Sequence, residues 1–546
     1  MAFLAHGLCL RAEFFMDDYL HIVDNAAVQN GDWWSVPFRQ FSYIFFCSLH
    51  ALFGPSPFAF HLWTLGLHLA ITIAIFCVGR RLLSNRSREA HRDDPDLGAF
   101  FAALIFACHP FLSEGVNYAQ NASLQLVALF TILGVGATWR FVCAGEKSAL
   151  AWVCVFVVLA SASKEVGMFH AGLSALLVLA AFGKPAPLAK AFAGNRRSRI
   201  TCALVAVAGV AVALKLVAFW SPFVAAIVKG PFWFRHFLTQ GRLFWNYVAG
   251  FFWPANLCAD HHLPFSGTWG DWEALIKTAA VLLLVIGIVC GAFFRRTRLA
   301  CVLALLGLLP LLMRFLFVNK EFFVEYRAYS AMPWAALLAG WGLSRLHSWK
   351  EWPVRAAVVA IVITCTIVSA RRSMLWGDRY SFAQDTIRKY PMNLRARTQL
   401  QKYDLEEGRW LSVMRRAREC RAAMASIEQF NQRSPAGRTY ELSMAFRCAM
   451  CSEHFYALAL AETKGSAAAL AHLTGTIEGL KTFNPDFVDP QKRDFEIGRQ
   501  LVETRDILLN FGPAYDRLRS KPGDPAALAE INRLRDGERA RLSQLP

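Results

Sequence analysis

Residues 149–182 read ALAWVCVFVVLASASKEVGMFHAGLSALLVLAAF. These 34 residues are too many for one ordinary bilayer crossing and few for two, because about 20 apolar residues span the roughly 30 Å of hydrocarbon. Ser163, Lys164 and Glu165 stand in the middle. Whether the stretch is one helix or two decides on which side every later loop falls. With two short helices meeting at the tripeptide, loops 79–96, 144–148, 183–199, 295–298 and 345–355 share one face and hold 17 Lys and Arg in 55 residues. The opposite loops, 16–57, 110–121, 163–165, 221–273 and 319–328, hold 7 in 120. A single span would scatter the basic loops over both faces, so the positive-inside rule predicts two helices and a cytoplasmic basic face.

The remaining sequence fits a bilayer as solvent. Of 546 residues, 55% are hydrophobic and only 18% charged, with 44 Phe and 17 Trp, too apolar for one water-soluble core. Expected spans are Phe58 to Val78, a short Leu97 to Leu112, Leu124 to Val142, Ile200 to Trp220, Ala274 to Phe294, Ala300 to Val318, Tyr329 to Leu346 and Val354 to Ala370. The net charge of +18 is accounted for by the basic loops, and no nucleic-acid partner is expected. The 14 Cys show no zinc spacing, and most lie in apolar runs as small hydrophobes. Cys448 and Cys451, with Cys420, lie in a polar region, where a Cys-x-x-Cys reads as a disulfide, a redox pair or nothing functional, the first and last being favoured. Met1 to Leu10 is too short to cross a bilayer, so the expectation is a first helix missing from this sequence or a half helix in the interface.

The fold class is therefore all-α: a polytopic bundle of about ten to eleven spans in residues 1–372, then a separate helical domain in residues 373–546. In that domain amphipathic helices are punctuated by Pro391, Gly408, Pro435, Pro485 and Pro513. Tyr390, Pro391, Asn393, Arg395, Ala396, Leu400, Tyr403 and Gly408 read as one tetratricopeptide-like unit without a clean recurrence. Counting spans puts the domain outside the cytoplasm, and Arg371 and Arg372 at the exit oppose that count mildly.

The loops poor in basic residues carry most of the chemistry. They hold Asp17, Asp18, His21 and Asp24, then His109 and Glu114, Lys164 and Glu165, Asp260 to His262, and Glu321, Glu325 and Arg327. Polar groups at membrane depth are costly and commonly serve an ion or substrate path. An adjacent acidic pair is otherwise a solvated loop or helix cap. His109 before Pro110 suits a helix terminus, and Lys164 with Glu165 a local ion pair. Adjacent His261 and His262 point apart, which argues against zinc.

Taken in order, these features resemble the polytopic GT-C glycosyltransferases, above all the transmembrane and tetratricopeptide-repeat O-mannosyltransferases and their bacterial relatives. The resemblance covers most of residues 13–410 and rests on FFMDDYLHIVDN at Phe14 to Asn25, and on Arg39, Leu52 to Gly54, Pro57, Phe58, His61 and Leu62. It continues through His109, Pro110, Glu114 and Tyr118, Ser163 to Glu165, Trp253, Pro254 and Asp260, and Glu325, Arg327 and Tyr329. The family has a full helix before the acidic pair, and an Arg where this chain has Asn121.

The resemblance implies a sugar donor linked through phosphate to a polyprenol and a protein Ser/Thr, glycan or lipid acceptor. It places transfer at the outer face; the compact tail favours the periplasmic side of a bacterial inner membrane over a eukaryotic reticulum. Asp17 or Asp18 is the expected base, with Asp17 favoured by the family pattern and the other positioning, through a divalent cation held near the pair or without one. Substrate-binding residues are then Arg39, His109, Glu114, Lys164, Glu165, Asp260, Glu325 and Arg327. The leaving phosphate needs cations, with Lys215, Arg235, Arg242 and Arg314 as further candidates beside Arg327. Snorkelling to headgroups is the other reading of Lys215 and Arg314, and interfacial anchoring that of Trp253, Trp269 and Trp272. The rival function is a lipid or solute transporter using the same acids, disfavoured because they cluster at one face and no inverted repeat is evident. A repeat-bearing assembly protein is a third.

Overall fold

The computed structural model describes residues 1–84, 94–183, 231–316, 321–345, 352–434, 438–440, 442–483 and 499–521, with 524–527, 529–530 and 533. The expected span Ile200 to Trp220, with Lys215, lies outside the described residues. The chain divides into two compact units: residues 1–259 with 266–379, and residues 260–265 with 380–546. Both are helical, and a single bridge between Phe265 and Thr439 is the β-type pairing among the described residues.

The first unit contains α1 (Gln40–Phe53), α2 (Pro57–Ser84), α3 (Pro95–Cys108), α4 (Ala122–Ala144), α5 (Lys147–Ser163) and α6 (Gly167–Phe182). After them come α7 (Pro231–Phe252), α8 (Trp272–Phe293), α9 (Arg298–Leu316), α10 (Met332–Ser344) and α11 (Trp352–Leu375). Among the described residues five of these are long and apolar enough to cross a bilayer, six if the bent pair 95–108 and 110–117 counts as one. The protein is an integral, multi-pass membrane protein. The 34-residue stretch is two helices, α5 and α6, broken at residues 164–166.

Capping explains several boundaries. Asp94 accepts from the Asp96 and Leu97 amides ahead of Pro95, so α3 begins there. At its far end His109 Nδ1 accepts from the Phe111 amide, which leaves Nε2 protonated to donate to the Phe251 carbonyl at 2.9 Å, and the path bends by 55°. Gly145, with φ of 68°, ends α4 in the left-handed conformation that glycine adopts without strain.

Three sequence expectations are corrected. Loops 16–57 and 221–273 contain helices α1 and α7. In α7 the face that packs inward carries His236, Thr239, Gln240 and Arg242, and this polarity hid a 22-residue helix from a hydropathy reading. The span expected from Tyr329 starts at Met332, because Pro333 suits a first helical turn and residues 325–328 form a 3-10 turn instead.

Helices α3 and α10 meet through glycine. A Cβ on Gly340 would stand 2.2 Å from the Gly98 carbonyl oxygen and 2.8 Å from the Ala102 nitrogen, so small residues let these backbones touch. Gly340→Ala is expected to destabilise the protein by about 1–3 kcal/mol, read as a lower thermal midpoint in detergent. Gly342→Ala, where nothing lies within 4 Å, is the control that leaves the midpoint unchanged or slightly raised.

In the second unit α12 (Arg379–Lys389), α13 (Leu394–Glu406), α14 (Trp410–Arg433), α15 (Leu442–Lys464), α16 (Ser466–Phe483) and α17 (Arg499–Ser520) follow one another as hairpins. Gly408, with φ of 68°, reverses the chain between α13 and α14. Fully buried Asp404 binds Arg409 and Arg416 across that turn. Cys420 and Cys448 pack in an apolar core with Leu394, Met424 and Ile427, and no disulfide joins the described cysteines.

Candidate active site

The acidic pair sits on a tight turn whose residue Met16 has φ of 43°, a conformation that costs a non-glycine residue about 1–3 kcal/mol. The turn is held from behind. Phe14 packs on Phe60, and Phe15 on Trp376 with ring centres 5.2 Å apart. The two carboxylates consequently have different surroundings. Asp18 is fully buried, and its oxygens accept from the amides of Phe15 (3.1 Å) and Gln120 (2.8 Å). Burial pushes its pKa up to about 8, with those amide bonds pulling the other way. Asp17 is exposed to a cavity, while its amide donates to the Tyr118 hydroxyl at 2.7 Å.

That cavity has a volume of about 210 Å³, and its polar lining includes Asp17, His21, Arg39, Gln120, Glu165 and His170. Lys164, Arg314, Tyr326 and Arg327 also line it, with Leu124, Val166, Pro310 and Met313 as its apolar part. The break between α5 and α6 presents Lys164 and Glu165, and the end of α9 presents Arg314. Arg39 grips Glu165 through both oxygens, at 3.0 and 2.9 Å. Burial alone would raise the Glu165 carboxyl; the charge and hydrogen bonds of Arg39, with Lys164, outweigh it and hold it at about 2. Burial and the Arg39 charge lower Lys164 to about 8, and burial with the same cations brings His21 to about 4.

Arg314 and Arg327 share one anchor, the Glu321 carbonyl, at 3.1 and 2.7 Å. Arg314 is only 8% exposed, and its Nε has no hydrogen-bond partner. Helix α7 secures this corner: His236 binds the Arg314 carbonyl at 2.8 Å, Gln240 donates to Phe322 O and Tyr247 to Val324 O. With Arg39 paired to Glu165 and Arg327 to Glu321 at 3.8 Å, Lys164 and Arg314 still outweigh Asp17 in the lining and leave the cavity with net positive charge, the field of an anion site.

Protein O-mannosyl-transferase TMTC4 of Mus musculus is 24% identical to this chain over 461 residues, which cover 72% of this chain and 62% of the mouse protein. The chain resembles the protein O-mannosyl-transferases. It spans about 62% of the length of that relative. No family model matches the sequence, and no solved structure matches it.

Of the residues singled out in the sequence, Asp17, His21, Arg39, Lys164, Glu165, Arg314 and Arg327 line one cavity. Five others stand outside its lining. Asp18 holds backbone amides, as above. His109 caps a helical turn and stacks on Phe251. Glu114 accepts from the Tyr326 amide at 2.9 Å, and its carbonyl from Asn121. Glu325 accepts from the Cys258 amide and pairs with Arg372 at 2.8 Å. Asp260 belongs to the second unit, where it pairs with Arg395 at 3.2 Å; there His261 binds the Tyr390 hydroxyl and His262 stacks on Tyr440. Trp253, Trp269 and Trp272 are exposed. Among the described residues no group of three or more His, Cys, Asp or Glu side chains is placed to hold a metal ion. The sequence reading missed His170 and Tyr326; a histidine inside an apolar helix one turn after the Lys164–Glu165 break was the available signal for the first.

Proposed function

We propose that the protein is a membrane glycosyltransferase that moves a sugar from a polyprenyl-phosphate carrier to a hydroxyl acceptor on a protein, glycan or lipid. The observation that supports it is a cavity lined by the Asp17 carboxylate together with the cations Lys164, Arg314 and Arg327. In the reaction the acceptor oxygen bonds to the anomeric carbon and its proton passes to Asp17. The bond from that carbon to the phosphate oxygen breaks, and the electron pair leaves on polyprenyl phosphate. Lys164, Arg314 and Arg327 stabilise this developing dianion, while Asp17 becomes neutral as it takes the proton. The Arg39–Glu165 fork and Gln120 offer donors and acceptors to sugar hydroxyls. The asymmetry of basic loops argues that this chemistry faces away from the cytoplasm, with the helical tail on the same side.

The name of the mouse relative makes mannose the first sugar to offer. The full chain in vesicles with polyprenyl-phosphate mannose and a mixed protein and glycolipid acceptor pool is expected to release polyprenyl phosphate and label an acceptor. Movement of donor across the membrane with no product would instead support a transporter. Transfer should also fall as pH rises through about 8, because Lys164 is charged below that value and neutral above it. Lys164→Arg, charged throughout, should carry the falling limb to higher pH; an unmoved limb would remove Lys164 from the site.

A further inference from the structure

Helix α11 exposes most of its length, and the side chains it buries are in its last turns: Ser369, Arg372 and Ser373. Just beyond them Trp376 is 2% exposed. A buried arginine is costly unless paired, so its placement at the end of an otherwise exposed helix calls for a reason. Its partner supplies one. Arg372 meets Glu325 at 2.8 Å, and Glu325 opens the 3-10 turn 325–328 whose next two residues, Tyr326 and Arg327, line the cavity. That turn has only four residues and is pinned from behind by Arg372, the Cys258 amide on Glu325 and Glu114 on the Tyr326 amide. Ser369 locks the register of α11 by donating to Cys108 O at 2.8 Å.

We propose that Arg372 is a positioning residue: through Glu325 it holds the turn that aims Arg327 at the leaving phosphate. The inference rests on the glycosyl-transfer reading for its effect on rate, but not for its effect on the turn. Trp376, four residues on, packs against Phe15 and Tyr118 behind the acidic turn, so one short segment backs both faces of the cavity.

The test is a double-mutant cycle in the full chain, with rates expressed per folded molecule. Arg327→Met is expected to lower kcat by about a hundredfold to a thousandfold, and Arg372→Gln by about a hundredfold with KM little changed. In the Arg327→Met background, Arg372→Gln should cost under about threefold, since its effect passes through Arg327. Full multiplication of the two losses overturns the proposal. Arg372→Lys should recover part of kcat. Should the single variant fold poorly, Glu325→Gln with Arg372→Gln removes both buried charges, and full kcat in that pair also overturns it. Hydrogen exchange supplies the activity-independent arm: amides 325–328 should lose protection in Arg372→Gln, and unchanged exchange overturns the proposal. If the unaltered protein transfers no sugar, the function reading fails while this last measurement still decides the role of Arg372.

Discussion

Asp17→Asn is expected to abolish transfer, by about a thousandfold or more, while the protein still reaches the membrane folded. The carboxylate faces the cavity, so the isosteric amide keeps the shape of the turn and removes the proton acceptor. Asp18→Asn should behave differently. Its side chain accepts two amides on opposite oxygens, and an amide group would turn its own NH2 toward one of those donors. A buried donor left without an acceptor costs about 1–3 kcal/mol, so this variant should show a lower thermal midpoint and yield, with a smaller loss per folded molecule. Equal, full activity of Asp17→Asn would sink the assignment of the base.

Arg314→Met should lower kcat by about a hundredfold to a thousandfold and weaken retention of polyprenyl phosphate, measured as product inhibition. Methionine keeps the apolar stem, and the Glu321 carbonyl that Arg314 grips remains bonded to Arg327, so the corner stays closed. What disappears is a buried guanidinium beside the cavity whose Nε has no protein partner. A variant with reduced yield but unchanged kcat and product inhibition would make Arg314 a structural tie only.

The helices that bury apolar surface on all sides or face lipid were legible from hydropathy, as α2, α4, α8, α9 and α11 are. Two were not: α7, whose buried side chains hydrogen-bond within the protein and look like loop residues in sequence, and α1, which is apolar but with 14 residues too short to read as a span. The same physics governed the site. Asp17, Arg39, Lys164, Glu165 and Arg327 could be picked out as polar groups in apolar surroundings. The same criterion also selected Glu114 and Glu325, buried to bind backbone amides and an arginine behind the cavity wall. Sequence shows that a polar group is buried; only geometry shows which side of a wall it faces. Arg314 illustrates the reverse case: in sequence it suits a headgroup contact, and in the fold it is turned inward beside Pro310.

Residues 260–265 fold with the helical tail although the chain on both sides of them belongs to the membrane unit. The tail is thus assembled from two separate stretches of the polypeptide, with a bridge from Phe265 to Thr439 and the Asp260–Arg395 pair among its internal bonds. It cannot be exchanged between relatives, or removed cleanly, by a single cut near Arg379. Any graft of one such tail onto another membrane unit must carry those six residues with it, so the two units are expected to be inherited together.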